Sequence, residues 1–344
     1  MRVATAASAV VAAGAVAAGL AGRALHGRRG PAGSERAWAP PPEDLGIVEV
    51  ADGTKLAVRG AGPVDAPVLL FSHGFSLDMT TWREQWVDLA RDFRCLFLDH
   101  RAHGRSEVPV TADVSLRAMG RDLASVLDAV APRSPAVLIG HSMGGMAFLA
   151  LADERPDLLG DRIVGAAILG AAASHVLHGA MGNVTEMLRP RRASLAAAAR
   201  RVDRLRRVVL AAPYEVPATV ARLIQFAPDA PDEIVDHVLR LGVGAPSLVW
   251  TEGLSELMRM DVRHALPRVT VPVLVAVGDQ DRVTPPAAAV RLAAALPDGR
   301  LFIVEGAGHL PMLERPERVN PALRSIARSA LGLEPVTRTG EGAA

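Results

Sequence analysis

The chain has 344 residues, half of them apolar, and 38 basic against 37 acidic side chains leave a formal net charge of +1. That length suits one large α/β domain with an insertion, or two ordinary domains, and the balance of charge speaks against a nucleic-acid partner or a strongly steered ionic substrate. The single cysteine, Cys95, excludes an intramolecular disulfide and any cysteine-based zinc site; lying in the apolar run 95–98, it is expected as a buried structural thiol.

Residues 3–22 are rich in Ala, Val and Gly, with arginines on both sides at Arg2, Arg23, Arg28 and Arg29. About 20 such residues would cross a hydrocarbon core as a helix at roughly 1.5 Å each. Three readings stand: an N-terminal membrane anchor, a cleaved export signal, or an extension lying free or on an interface. The protein is accordingly expected to be membrane-associated or exported. Residues 23–45 read as an extended Pro/Gly-rich linker, including Pro40, Pro41 and Pro42, so the folded domain is expected from Gly46.

Residues 47–50 and 54–58 flank Asp52-Gly53, a hairpin signal. Continuous apolar runs then predict strands over 68–71, 95–98, 136–139, 163–169, 273–277 and 301–304. Helical patterns fall between them at 81–90, 116–130 and 143–154, with a last helix at 317–330; Thr284 before Pro285 reads as a helix cap and first turn. Unalternating strands are covered on both faces, which gives an α/β, doubly wound, mostly parallel sheet. The core is expected as 46–170 plus 268–330, with a disordered tail at 331–344. Residues 171–267 break the alternation and read as an inserted helical cap, with a helix at 233–241 stopping at Gly242.

Gly140-His141-Ser142-Met143-Gly144 lies between a predicted strand and a predicted helix. This is the context in which G-x-S-x-G is a nucleophile elbow: Gly140 and Gly144 leave room for a sharp turn that exposes the Ser142 hydroxyl. Phe71-Ser72-His73-Gly74-Phe75 ends another strand, so the Phe75 amide, with that of Met143, is expected to form an oxyanion hole. Gly278-Asp279-Gln280-Asp281 and Gly306-Ala307-Gly308-His309 also follow strands, and in open α/β sheets chemistry gathers at strand carboxyl ends. Ser142 is expected as nucleophile, His309 as base on a flexible glycine loop, and Asp281 as the orienting acid, with Asp279 as fallback. A serine hydroxyl is a weak nucleophile at neutral pH and needs such a base.

Together with Asp99-His100-Arg101-Ala102-His103-Gly104-Arg105-Ser106, these motifs resemble those of the α/β-hydrolase superfamily over roughly residues 46–330. The resemblance implies a mixed, mostly parallel eight-stranded sheet with an antiparallel second strand and, from Gly-His-Ser-Met-Gly-Gly, a carboxylesterase or monoacylglycerol-lipase type of activity. Relatives with an aspartate nucleophile are disfavoured by Ser142. The expected substrate is a small hydrophobic ester, with no cofactor and no metal. A thioesterase, a carbon–carbon bond hydrolase or a cofactor-free perhydrolase would use the same triad, and a non-catalytic ligand receptor the same fold.

Other residues are expected in quieter roles. Asp99 and Arg101 would organise their loop, and His73, His100, His103 and His141 would be hydrogen-bonded scaffolding. His175 and His178 share a helical face without a third ligand. Seven arginines between Arg191 and Arg207 make a solvated face or a membrane-surface patch beside the anchor. Met181, Met187, Leu223, Phe226, Trp250, Leu254 and Met258 are candidates for an apolar acyl pocket.

Overall fold

The computed structural model describes residues 38–174 and 215–333. Eight strands make one sheet: β1 (Glu43–Glu49), β2 (Lys55–Ala61), β3 (Val68–Ser72), β4 (Arg94–Leu98), β5 (Ala136–His141), β6 (Ile163–Leu169), β7 (Val273–Gly278) and β8 (Gly299–Val304). Their spatial order is β1-β2-β4-β3-β5-β6-β7-β8. β2 runs antiparallel to both neighbours and every later pairing is parallel. The sheet is thus the mixed, mostly parallel one that the resemblance implies.

The α-helices of the described residues are α1 (Arg83–Leu89), α2 (Leu116–Val130), α3 (Met143–Glu154), α4 (Glu215–Gln225), α5 (Asp232–Gly244), α6 (Leu254–Arg259), α7 (Pro286–Ala295), the single turn α8 (Pro311–Glu314) and α9 (Pro316–Ala330). Because successive side chains on a strand point to opposite faces, each buried strand feeds two cores. Leu70 and Leu96 pack with Leu123 of α2, Phe148 of α3 and Leu292 of α7. Leu69, Phe71, Cys95 and Phe97 pack with Leu89 of α1 and Leu323 of α9. This is why the central strands read as unbroken apolar runs. Cys95 is fully buried, and burial pushes its thiol pKa up.

Several boundaries differ from the sequence reading. β1 starts at Glu43, inside the expected linker, because its charged residues have partners: Glu43 pairs with Arg94, and Asp44 with Arg59 at 3.1 Å. Trp38 stacks on His237 of α5 with ring centroids 4.0 Å apart. A 3-10 turn (Met79–Trp82) replaces the start of the helix expected at 81–90. α5 runs through Gly242 to Gly244. α7 begins at Pro286, so Thr284 is not its cap.

Of the expected cap, residues 175–214 lie outside the described residues, as do the run 3–22, most of the linker, His175, His178, Met181, Met187, the Arg191 to Arg207 stretch and the tail beyond 333. No helix among the described residues is long and apolar enough to cross a membrane. The described part of the cap is helical and packs on the loops at the strand carboxyl ends. His237 of α5 hydrogen-bonds Thr80 (2.8 Å), and the Trp250 ring meets that of Phe75 edge-on at 5.1 Å.

Candidate active site

The parallel register aligns the carboxyl ends of β3 and β5, pairing Ser72 with Gly140, and those of β7 and β8, pairing Gly278 with Val304. The four motif loops therefore leave the sheet side by side. Ser142 caps α3 with φ 49° and ψ −114°, a left-handed conformation that costs a non-glycine residue about 1–3 kcal/mol. The turn is fixed by its neighbours: Ser142 N–H donates to Leu169 O (2.8 Å) and Met146 N–H to Ser142 O (3.1 Å). The elbow glycines are needed for close approach. A Cβ at Gly144 would stand 2.1 Å from the Ser72 carbonyl oxygen, and one at Gly140 would stand 2.5 Å from Gly145 N.

Ser142, Asp281 and His309 meet although they lie far apart in the chain. His309 Nε2 is 3.2 Å from Ser142 Oγ, and His309 Nδ1 is 2.8 Å from Asp281 Oδ2. All three are buried with a sliver exposed, 6 % for both Ser142 and His309. This is the tautomer in which Nδ1–H donates to the carboxylate and Nε2 accepts from the hydroxyl. Asp281 Oδ1 accepts the N–H groups of Val283 and Thr284, each at 2.8 Å, and Oδ2 also accepts the Thr284 hydroxyl at 2.8 Å. Burial by itself would raise the Asp281 carboxyl, but His309 and the Thr284 donors outweigh it and hold it below the usual carboxylate range. Asp279, the fallback, is occupied elsewhere: its Oδ1 accepts the Gly306 and Ala307 N–H groups at 2.8 and 3.3 Å.

The Phe75 and Met143 N–H groups have no protein acceptor among the described residues. Phe75 sits under the cap, its ring against Trp250 and beside the five-residue π-helix Val249–Gly253. A Cβ at Gly253 would lie 3.3 Å from Phe75 Cε2. Among the expected pocket residues, Phe226, Trp250 and Leu254 are buried, Met258 is half-buried and Leu223 is exposed.

The surrounding histidines have their ring nitrogens largely engaged. His73 Nδ1–H donates to Gly74 O (2.9 Å) while Nε2 accepts His100 N–H (3.0 Å). His103 Nδ1–H donates to Arg101 O (2.9 Å) and Nε2 accepts Ser76 N–H (3.2 Å). His100 Nε2 meets Ser72 Oγ at 2.7 Å, a second Ser–His contact but one sealed from solvent. His141 Nε2–H donates to the His309 carbonyl (2.9 Å). Burial lowers these histidines, His103 to about 4, His100 and His141 to about 3. Arg101 makes a bidentate pair with Asp122 (2.7 Å for both bonds) and reaches Asp52 at 2.9 Å, tying the first hairpin to α2.

Two residues at the site carry no sequence signal. Thr284, expected to cap a helix, places its hydroxyl on Asp281 and 3.3 Å from His309 Nδ1. Glu314 accepts backbone N–H groups on either side of His309. The glycines of the His309 loop also differ from expectation. A Cβ at Gly308 would lie 2.6 Å from Gln225 O, so this glycine admits a close approach of the cap, a role that its sequence context does not suggest.

Residues 69–322 match the model of the alpha/beta hydrolase family. The non-heme chloroperoxidase of Streptomyces lividans is 29% identical over 299 residues, covering 83% of this chain and all of that protein. The 3-oxoadipate enol-lactonase 2 of Acinetobacter baylyi is 27% identical, covering 78% and 91%. Among solved structures, a thermophilic esterase from Thermogutta terrifontis superposes with a TM-score of 0.66 at 28% identity, covering 84% of this chain and 99% of that one. With the family model spanning most of the chain and the sheet ordered as described, the chain belongs to the alpha/beta hydrolase family and is a hydrolase.

Proposed function

We propose that the protein is a serine hydrolase that cleaves carboxylic esters with hydrophobic acyl or alkyl groups through an acyl-enzyme. The observation that carries this reading is the continuous chain from Ser142 Oγ through His309 to Asp281, with bonds of 3.2 and 2.8 Å. Ser142 Oγ attacks the ester carbonyl carbon as its proton passes to His309 Nε2. Asp281 holds the imidazole in the required tautomer and stabilises its cationic form. The carbonyl oxygen, now an anion, takes hydrogen bonds from the free Phe75 and Met143 N–H groups, each worth about 10²–10³ in rate. His309 returns the proton to the leaving alkoxide, the alcohol departs, and a water deprotonated by His309 releases the acid from Ser142. The apolar contact of Phe75, whose N–H is one of the two oxyanion donors in this reading, with Trp250 of the cap supports an apolar substrate group.

A second reading is favoured by the relationship to a non-heme chloroperoxidase over that protein's whole length. Hydrogen peroxide in place of water would release the acyl group as a peracid, with the same proton transfers. For the N-terminal run 3–22, membrane anchoring or export is proposed from composition, and fractionation of the full chain tests it.

The catalytic reading is tested by labelling with a fluorophosphonate and by hydrolysis of p-nitrophenyl esters of increasing acyl length. We expect labelling that Ser142→Ala abolishes, and a fall in turnover of roughly 10⁶ for Ser142→Ala or His309→Ala. Turnover near wild type in either variant contradicts it. Peracid formation outpacing hydrolysis would favour the second reading.

A further inference from the structure

The loop that carries His309 contains Gly306 and Gly308, which have no side chains to anchor it by packing. Asp279 holds its first half through the Gly306 and Ala307 N–H groups, and the amides on either side of His309 are held by one residue that the catalytic steps do not use. Glu314 ends α8 and is buried. Its Oε1 accepts the Gly308 and Leu310 N–H groups at 3.1 Å, the two amides that flank His309. Its Oε2 accepts Gly308 N–H at 3.1 Å and Ala227 N–H at 2.7 Å. Ala227 lies two residues beyond the end of α4, in the cap. The same cap turn takes the His309 N–H on Gln225 O at 2.6 Å, and any side chain at Gly308 would collide with Gln225 and Phe226.

The choice of an acid here is informative. A buried carboxylate is costly to desolvate, and the nearby guanidinium does not hydrogen-bond it. Arg315 donates instead to the Glu314 backbone oxygen and to Asp229. All the groups facing the carboxylate oxygens are N–H donors, so only a side chain that accepts at both oxygens satisfies them. A glutamine of the same shape would turn an NH₂ toward donors. An apolar residue would leave three buried N–H groups without partners. Charge-assisted bonds of this kind are stronger than neutral ones and fix position closely.

We propose that Glu314 is a positioning residue of the reaction: its carboxylate binds the His309 loop to the turn after α4 and so holds the base in register with Ser142. This rests on the reading of His309 as the base. In that geometry a displacement of about 1 Å can cost 10²-fold in rate.

The test compares Glu314→Gln and Glu314→Asp with wild type in the full-length chain, using His309→Ala as a reference. Competent serines are counted by stoichiometric fluorophosphonate labelling, so that kcat is expressed per reactive site. KM for a p-nitrophenyl ester and the thermal midpoint are measured alongside. We expect Glu314→Gln to lower kcat per labelled site by about 10- to 100-fold with KM nearly unchanged, the pattern of an interaction lost from the transition state. Glu314→Asp keeps an acceptor-only group one methylene short and should recover a large part of that loss. A Glu314→Gln protein with wild-type kcat per site and only a lower thermal midpoint overturns the proposal, because the role is then structural. Should Glu314→Gln fail to fold, Glu314→Asp decides: a kcat per site clearly below wild type at unchanged KM supports the proposal, and a wild-type kcat overturns it. An active His309→Ala removes the reading of the base and this inference with it, whereas a dead His309→Ala beside a wild-type Glu314→Gln removes this inference alone.

Discussion

At the scale of single residues, the site separates two aspartates two positions apart. Asp281 faces the imidazole and Asp279 ties the loop backbone. Asp281→Asn is expected to lower kcat by about 10⁴, since an amide at Oδ2 stabilises the wrong histidine tautomer. Asp279→Asn keeps an oxygen for Gly306 and Ala307 and should stay within an order of magnitude of wild type. Steady-state kinetics of the pair checks the assignment, and equal losses would contradict it. Gly144→Ala should lose both labelling and native fold, because a Cβ 2.1 Å from a strand carbonyl has nowhere to go. The motif residues were legible in the sequence because backbone constraint and chemistry coincide in them: glycines mark the sharp turns, and Ser, Asp and His follow strands. Thr284 and Glu314 were not legible. They are ordinary residue types whose meaning appears only when folding brings distant backbone to them, as Ala227 is brought to Glu314.

At the scale of elements, the central strands could be read because burial on both faces makes them uniformly apolar. The edge strands blurred. β1 carries Glu43 and Asp44, polar residues that look like linker until Arg94 of β4 and Arg59 of β2 are seen to meet them. Gly242 suggested a stop, but α5 continues through it, with Trp250 Nε1–H donating to the Gly242 carbonyl at 3.2 Å. Helix α2 follows the ordinary rules. Its cap Ser115 accepts the Ala118 N–H at 3.2 Å, and Ser115→Ala should cost about 1 kcal/mol in a urea titration without changing kcat. The π-helix at Val249–Gly253 works through shape. Gly253→Val would push on the Phe75 ring that it faces, and should alter KM for long-chain esters more than for acetate; identical ratios across chain lengths would show that this turn does not border the substrate.

For the whole molecule, the response to acid is set among the described residues by five buried histidines whose pKa values are lowered. Burial depresses His73 well below 6.5, His103 to about 4, and His100, His141 and His237 to about 3. The unfolded chain takes up those protons near pH 6.5 and the folded chain does not. Their stabilisation is complete above that value and is lost as pH falls toward 3–4, by about 1.4 kcal/mol per pH unit for each net proton. Asp99 works in the opposite sense. Burial and the neighbouring Asp78 raise it to about 7, so the stability it gives is present below pH 3.8 and lost as pH rises through 7. Burial raises Asp78, Asp122 and Glu314 in the same sense. The five histidines outnumber these four acids, and urea midpoints should fall between pH 7.5 and 5.5; a flat or rising profile would contradict this. The Trp38–His237 stack bears on how the protein is handled. A fragment trimmed to start at Gly46, to remove the apolar run 3–22, would also discard the indole that stacks on His237 and the acids that pair with Arg59 and Arg94. Without that ring and those carboxylates, His237 of α5 and two strand arginines would lose the partners they have in the full chain, so the cut belongs upstream of Trp38.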